Sequence, residues 1–415
     1  MSFHHTSSQF EESNFRHLVF DIAWFGLALA ATSRFLSVYA IRVGASATEI
    51  GLITALPSLI LLFSSSLGGV WQRRYTTRER ALSWPGLGMR MMFILPAFTP
   101  LLPEHLRPLW LIISISLPAI PQGIAGVVFI DMMRESVSQS TLPKLLSHRA
   151  LWLNIMLALG ALAFGLLLEK APYPSNYQIM FGVAFLAALL SYKHCYAIRT
   201  EPLPTHGTTH RLSTFSPWKS PKFRQVALVT AVVQLTFTFL VSVTPIFLVK
   251  ERGATEGFMA IFGMVELGAG AMMAILTPRI VRKIGNRAMI AAMMVGTALA
   301  AVIFALAPNL HLILIGAALS GGCWAAAAMI GLFGFFTENT PTENTAAYAT
   351  AYQQVIGLAA FLGPMIGSLL VSGGISLVTV MLIGAGLRIG SAVVVDFPLL
   401  ARGRREENTE IQVQH

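Results

Sequence analysis

Charge is scarce in this sequence. Lysine and arginine number 29, aspartate and glutamate 19, and charged residues make up 12% of the 415, against about 25% in a soluble domain. That excludes an ordinary water-soluble globule. With 55% hydrophobic residues and a mean hydropathy of +0.67, the chain falls in the membrane class. Cysteine is scarcer still. Cys195 and Cys323 are far apart, each in or beside an apolar run, so they offer neither a disulfide framework nor a metal spacing and leave the redox compartment open. No phosphate-binding loop ending in Gly-Lys-Ser or Gly-Lys-Thr, no zinc spacing and no nucleophile triad is present, so ATP-driven pumping by this chain alone is not expected. The sequence implies no enzyme, no cofactor and no metal. The polar start, Met1 to Asn14, lacks a basic segment followed by an early apolar core. No signal peptide is expected, and His4 and His5 read as part of a polar tail.

Long apolar runs are what the sequence has in abundance. A helix needs about 20 apolar residues to span a bilayer, and in lipid only such internally hydrogen-bonded segments are viable. Twelve candidates lie near residues 17–41, 48–71, 84–102, 108–133, 148–169, 176–197, 224–249, 256–278, 287–307, 310–336, 345–371 and 375–399. Between the sixth and seventh, the stretch from Arg199 to Arg224 holds Pro202, Pro204, Pro217 and Pro221 among Thr, Ser and His, a linker composition. The expected fold is an all-α membrane protein of twelve transmembrane helices: a six-helix bundle in 1–200, a cytoplasmic linker over 201–223, and a second six-helix bundle with a tail in 224–415.

Basic residues alternate between loops. One set holds Arg73, Arg74, Arg78 and Arg80, then Arg134, Lys144 and Arg149, the central linker, Arg279, Arg282, Lys283 and Arg287, and the tail; the opposite set holds Arg42, Arg107, Lys170, Lys250 and Arg252. The richer set is expected to be cytoplasmic, with both termini inside a cell membrane. The net charge of +10 is thereby explained by topology and implies no nucleic-acid partner. Lipid is the surrounding partner, and the chain is expected to act as a monomer.

The halves also echo each other. Gly44-Ala45-Ser46-Ala47-Thr48-Glu49 follows the first run and Gly253-Ala254-Thr255-Glu256 the seventh. Each opens an apolar helix that ends in a basic loop, with Thr48 and Thr255 as candidate caps and Glu49 and Glu256 on the positive helix ends. The matched positions indicate duplication.

Gly68-Gly69-Val70-Trp71-Gln72-Arg73-Arg74-Tyr75 resembles the Gly-x-Leu-x-Asp-Arg-x-Gly-Arg-Arg motif joining the second and third helices of the major facilitator superfamily. The resemblance covers residues from about 15 to 400. Gly68 and Arg73 match; Gln72 replaces the acidic residue and Tyr75 the second glycine. A second-half echo, Lys283-Ile284-Gly285-Asn286-Arg287, also lacks the acid. The resemblance implies alternating access, with a central cavity lined by helices 1, 2, 4, 5, 7, 8, 10 and 11, and a cytoplasmic gate involving Arg73 and Arg74. Asp21 or Asp131 is a candidate replacement for the missing gate acid. The Gly-Pro motif often found in the fifth helix of proton-driven antiporters is absent there, where only Gly160 and Gly165 occur; a partial version, Gly363-Pro364-Met365-Ile366-Gly367 after Gly357, sits in the eleventh run.

Intramembrane polar groups are the site candidates. Glu266 lies roughly 15 Å into the eighth run at 1.5 Å per residue, among Ile261, Phe262, Met264, Val265 and Leu267, which offer it no compensation. Burial of such a carboxyl favours the neutral form, which suits proton exchange; the bland reading is a carboxyl tied to a neighbouring helix. Arg34, in the first run, could bind an anionic substrate group, pair with a carboxylate or snorkel to the outer headgroups. Asp21, Arg134 and Glu135 are placed in a cytoplasmic gate network. Arg388 is expected to have a structural partner, with Asp396 the candidate. Gln122 (after Pro118 and Pro121), Gln234, Asn154 and Trp324 are further candidates, each weighed against interhelical hydrogen bonding or packing. The function expected is secondary active transport, proton-coupled, exporting a small lipophilic or amphiphilic solute past a lining of Trp24, Phe237, Phe239 and Trp324. The alternatives are uptake of a small polar metabolite, and a non-transporting receptor or scaffold on the same fold.

Overall fold

A computed structural model of the chain describes residues 8–138, 140–200, 217–340 and 345–396. Most of the expected linker and the basic tail therefore lie outside the described residues. In the first half, α1 runs Ser8–Arg42, α2 Ala47–Gln72, α4 Arg107–Ser136, α5 Leu142–Lys170 and α6 Ser175–Tyr196. Between α2 and α4, α3 begins as the helix Arg78–Arg90 and tightens into 3₁₀ turns that end with Leu95–Leu101. Pro85, Pro96 and Pro100 each withhold a backbone donor from it, which favours such departures from α geometry.

In the second half, α7 spans Pro221–Lys250 in two pieces, Pro221–Thr238 and Val243–Lys250. The 51-residue stretch Glu256–Leu306 would be about 77 Å long if straight, more than twice a hydrocarbon core. It comprises two passes: Gly285, at φ 79° and ψ 164°, interrupts the helix and separates α8 (256–284) from α9 (286–306). Then come α10, Leu310–Asn339 with a π-helical segment at Ala325–Leu332, α11, Thr345–Ser372, and α12, Leu377–Asp396. Ten described helices are long and apolar enough to cross a membrane. With one of them divided at Gly285 and α3 added, the chain makes twelve passes.

The internal echo has a structural counterpart. Gly44 and Gly253, at matching turns, both adopt positive φ, 86° and 64°, a conformation glycine reaches without a side-chain clash. Thr255 caps α8 by accepting from Phe258 N. The cap of α2 is Ser46, not Thr48: Ser46 Oγ accepts from Glu49 N while Glu49 reaches back to Ser46 N at 2.7 Å. This capping box starts the helix at Ala47, and leaves Thr48 free to bond Ser372 at 2.7 Å.

The two halves meet along α2 against α11 and α5 against α8, pairs related by the repeat. Small residues permit this approach: Gly51 lies against Ser368 and Gly165 against Ala260, where an added Cβ would collide. Phe35, Tyr39, Tyr177 and Phe181 anchor the core of the first half; Phe223, Phe247 and Met294 are buried in the second. Outward faces carry exposed Phe63, Leu101, Leu117, Leu186, Ile275 and Leu306, as expected of helices solvated by lipid.

Candidate functional site

One face of the molecule is defined by the start of α1 and the end of α12; the opposite, far face holds the end of α1 and the starts of α2 and α8. On the far side, two ion pairs cross between the halves. Arg34 Nη1 of α1 lies 2.7 Å from Glu266 Oε2 of α8, with both side chains only partly exposed. Nearer the far end, Arg42 pairs with Glu256, which also accepts from the Tyr177 hydroxyl at 3.0 Å. Tyr177 is held by stacking on Tyr39 at 4.2 Å, so three helices converge on one acid. The Thr48–Ser372 bond adds a fourth crossing contact.

Glu266 is therefore not uncompensated, as its own helix suggested. Its partner comes from 232 residues away, a distance that neighbouring residues cannot report. Of the three roles open to Arg34, the structure selects pairing with a carboxylate. Gly263 leaves room for this: a Cβ there would lie 2.9 Å from Arg34 Nε and 3.0 Å from its Cδ, so a larger residue would require the guanidinium to shift. Arg34 Nε itself is buried without a hydrogen-bond partner among the described residues.

Behind this pair, α7 is broken between Thr238 and Val243 by a run of turns in which Leu240 N and Val241 N bond three residues back, to Phe237 O and Thr238 O. The last turn of a helix leaves carbonyls without intrahelical donors. Arg388 of α12 meets them, donating to the carbonyls of Phe237 at 3.0 Å and Thr236 at 3.5 Å, and to Thr297 of α9 at 2.8 Å. The expected partner Asp396 is exposed at the end of α12, two helical turns further along, and is not what Arg388 binds. The Arg388 guanidinium also lies 4.7 Å from the Phe237 ring, whose other neighbour is Trp324, stacked at 3.5 Å and 4°. Trp324 is thus packed in a stack, and Gln234 is buried in α7 ahead of the break.

On the terminus side of the seal lies a cavity of about 470 Å³ lined only by residues of α1 to α6. Phe25, Leu61, Met89, Phe129 and Ile130 form much of its wall. The aromatic lining expected from Trp24, Phe237, Phe239 and Trp324 is not found there: Phe239 is in the second-half core and Trp24 packs on the first. Gln122 is on the wall, whereas Asn154 is exposed on α5 and donates to its own helix at Ala150 O. Asp21 is buried at the cavity with Arg149 at 3.1 Å and Arg90 at 3.8 Å, and accepts from Ser191 and Cys195.

Asp21 does not share a network with Glu135. A separate cluster forms where α2 and α3 meet α4: Gln72 donates to Asp131 at 3.2 Å, and Arg78 makes a forked contact with Glu135 at 2.8 and 3.1 Å and lies 3.9 Å from Asp131. Gly68 packs against Val127. Of the two candidate replacements for the missing motif acid, Asp131 is the one beside Gln72. Arg73 and Arg74 are exposed in the turn after α2. The Arg134 side chain lies outside the described residues.

Several residues central to this geometry were not site candidates from sequence: Arg42, Arg78, Arg149, Tyr177, Gly263 and Glu256, the last read only as a helix-end acid. Those on loops read as topology signals, and Tyr177 and Gly263 carry no distinguishing pattern. Arg90 had a usable signal, since it is a charge inside the third apolar run.

The sequence profile of the Major Facilitator Superfamily matches residues 22–364. No curated protein matches the chain. Among solved structures, a variant of the nucleoside transporter NupG is similar at a TM-score of 0.71 and 13% identity, covering 92% of this chain and 98% of that one. A bacterial homologue of the iron transporter ferroportin, in an inward-facing state, gives 0.71 and 12%, covering 93% and 99%. The xylose transporter XylE from E. coli, in an inward open conformation, gives 0.70 and 14%, covering 93% and 95%. At these identities the likeness concerns the fold.

Proposed function

The chain belongs to the major facilitator superfamily, and from that premise we propose that it is a proton-coupled secondary transporter exporting a small lipophilic or amphiphilic solute by alternating access. The observation that carries this reading is the Arg34–Glu266 pair, a cation and an acid on opposite halves, 2.7 Å apart. Rocking of the bundles 1–200 and 224–415 about their interface separates the two. With the far side closed, Arg34 is paired with Glu266. With the far side open, Glu266 loses that partner and is available to take up a proton. Closing restores Arg34, which displaces the proton. Proton uptake from outside in the open state, and release inside after closure, couple inward proton flow to outward solute flow. The far-face seal and the terminus-side cavity correspond to an inward-facing state if both termini are cytoplasmic in the cell membrane. The apolar cavity wall favours a lipophilic solute.

Glu266→Gln tests the coupling in proteoliposomes. It keeps the shape and fixes the neutral form, so gradient-driven accumulation should fail while solute exchange between compartments of equal pH survives. Normal gradient-driven transport by the Gln variant would sink the reading; loss of both activities together with solute binding would make Glu266 a substrate contact instead.

A further inference from the structure

The charged residues lining the terminus-side cavity are Asp21, Arg90 and Arg149. One carboxylate faces two guanidinium groups, leaving one positive charge that the lining does not balance. In a low-dielectric interior such an imbalance is costly unless an opposite charge arrives. The donors of the two arginines differ in what they have left to offer. Arg90 is buried and spends its N–H groups on the carbonyls of Gly86 and Ala188 and on Ser191. Arg149 engages only Nη1, with Leu18 O and Asp21. Its Nε and Nη2 have no hydrogen-bond partner among the described residues, and the side chain lines the cavity. The guanidinium is fixed by the Phe129 ring, 4.9 Å away. Gln122, on the same cavity wall, also has an amide without a side-chain partner among the described residues.

Asp21, by contrast, is already occupied. Its two oxygens accept from Arg149, Ser191 and Cys195, with Arg90 beside them. A cation entering the cavity would meet a carboxylate already neutralised by its arginine neighbours, and a net repulsion. A polyhydroxylated solute would leave most of its hydroxyls against Phe25, Leu61, Met89 and Ile130, unpaired. We infer that the cavity takes an amphiphile with an anionic end, a carboxylate, sulfonate or phosphate on a lipophilic body, and that Arg149 is the group that recognises the anion. A planar guanidinium with two free N–H donors matches such an oxyanion. This assignment rests on the transport reading above and narrows its solute class.

The test is equilibrium binding of matched probes, pyrenebutanoate and the corresponding pyrenebutyl-trimethylammonium, to the purified full chain in phosphatidylcholine nanodiscs, with empty nanodiscs subtracted. The anion should bind about tenfold or more tightly than the cation, and Arg149→Gln should remove about tenfold or more of that affinity, the scale of a charged hydrogen bond. Because Arg149→Gln could also perturb folding, Asp21→Asn supplies the opposite arm: it deletes the competing carboxylate and should tighten anion binding, which misfolding cannot do. Adding phosphatidylglycerol separates two sources of the anion. Displacement of the probe by this lipid, dependent on Arg149, identifies the end group as a bilayer headgroup; indifference to it identifies a free amphiphile, and both results support the assignment. Equal or tighter binding of the cationic probe, or anion affinity unchanged in folded Arg149→Gln and Asp21→Asn, overturns it. Binding at equal pH needs no turnover, so pH-driven efflux of a lipophilic cation would overturn this inference and leave the transport reading standing.

Discussion

Gly263 shows how one residue without a side chain can carry a mechanism. In an ordinary helix interior, alanine is favoured over glycine by about 1 kcal/mol. At position 263 the added Cβ would sit 2.9 Å from Arg34 Nε, while the other end of the guanidinium is tied to Glu266. Gly263→Ala is therefore expected to lower the Tm and weaken gradient-driven accumulation. Gly268→Ala, on the same helix with no atom within 4 Å of its Cβ, should leave both unchanged or raise the Tm. Thermal unfolding and proteoliposome flux measured on the two variants decide this, and a Gly263→Ala protein as stable and active as wild type would remove the steric argument. The sequence exposes Glu266 as an intramembrane acid, because a charge in an apolar run is visible in one dimension. It does not expose Gly263, since glycine is common in membrane helices and only the nearby guanidinium gives this one a purpose.

At the scale of elements, the break in α7 depends on an arginine from α12. Arg388 serves three carbonyls and the Phe237 ring together. Arg388→Met keeps the bulk but removes the side-chain donor to the carbonyls of Thr236, Phe237 and Thr297, at about 1–3 kcal/mol for a carbonyl left unsatisfied. Arg388→Lys keeps the charge but not the planar fork. Folded yield and Tm should fall in the order wild type, Lys, Met; a Met variant matching wild type would mean that the break holds without Arg388. A second element-scale expectation concerns the turn between α2 and α3. Arg78 contacts Glu135 and Asp131, while Arg73 and Arg74 are exposed. Initial flux rates should fall further in Arg78→Gln than in the double variant Arg73→Ala, Arg74→Ala, with equilibrium solute binding retained in both. Loss of binding in folded Arg78→Gln would place it in the solute site rather than at a gate. Here the motif points to the turn in which Gln72 bonds Asp131, but the run of arginines looks alike in sequence, and helix geometry selects which one turns toward α4.

At the scale of the whole molecule, the alternation of basic loops and the even number of passes put both termini on one side. Ser175→Cys introduces a thiol at the start of α6, in an exposed position, whereas Cys195 and Cys323 are buried. An impermeant maleimide added to intact cells should label Ser175→Cys and not the parent chain, and fusions at either terminus should report the cytoplasm. Labelling of a cysteine placed at His206 from outside would invert the topology.

The sequence by itself determined the solvent and the number of passes, because both are periodic or compositional properties: twenty-residue apolar runs and scarce charge; the family showed through the resemblance of Gly68 to Tyr75 to a known motif, and a recurring Gly-Ala turn pointed to a repeat. It also determined that charges at 21, 34, 266 and 388 needed an explanation. Only the tertiary structure decided their partners. Arg34 found Glu266 in the other half, Asp21 found Arg90 and Arg149, and Arg388 found backbone carbonyls in place of Asp396. The physical reason is that pairing in lipid is set by which helix faces meet at a given depth. Two residues 232 positions apart share that depth only once the halves have packed, and no local pattern along the chain records it.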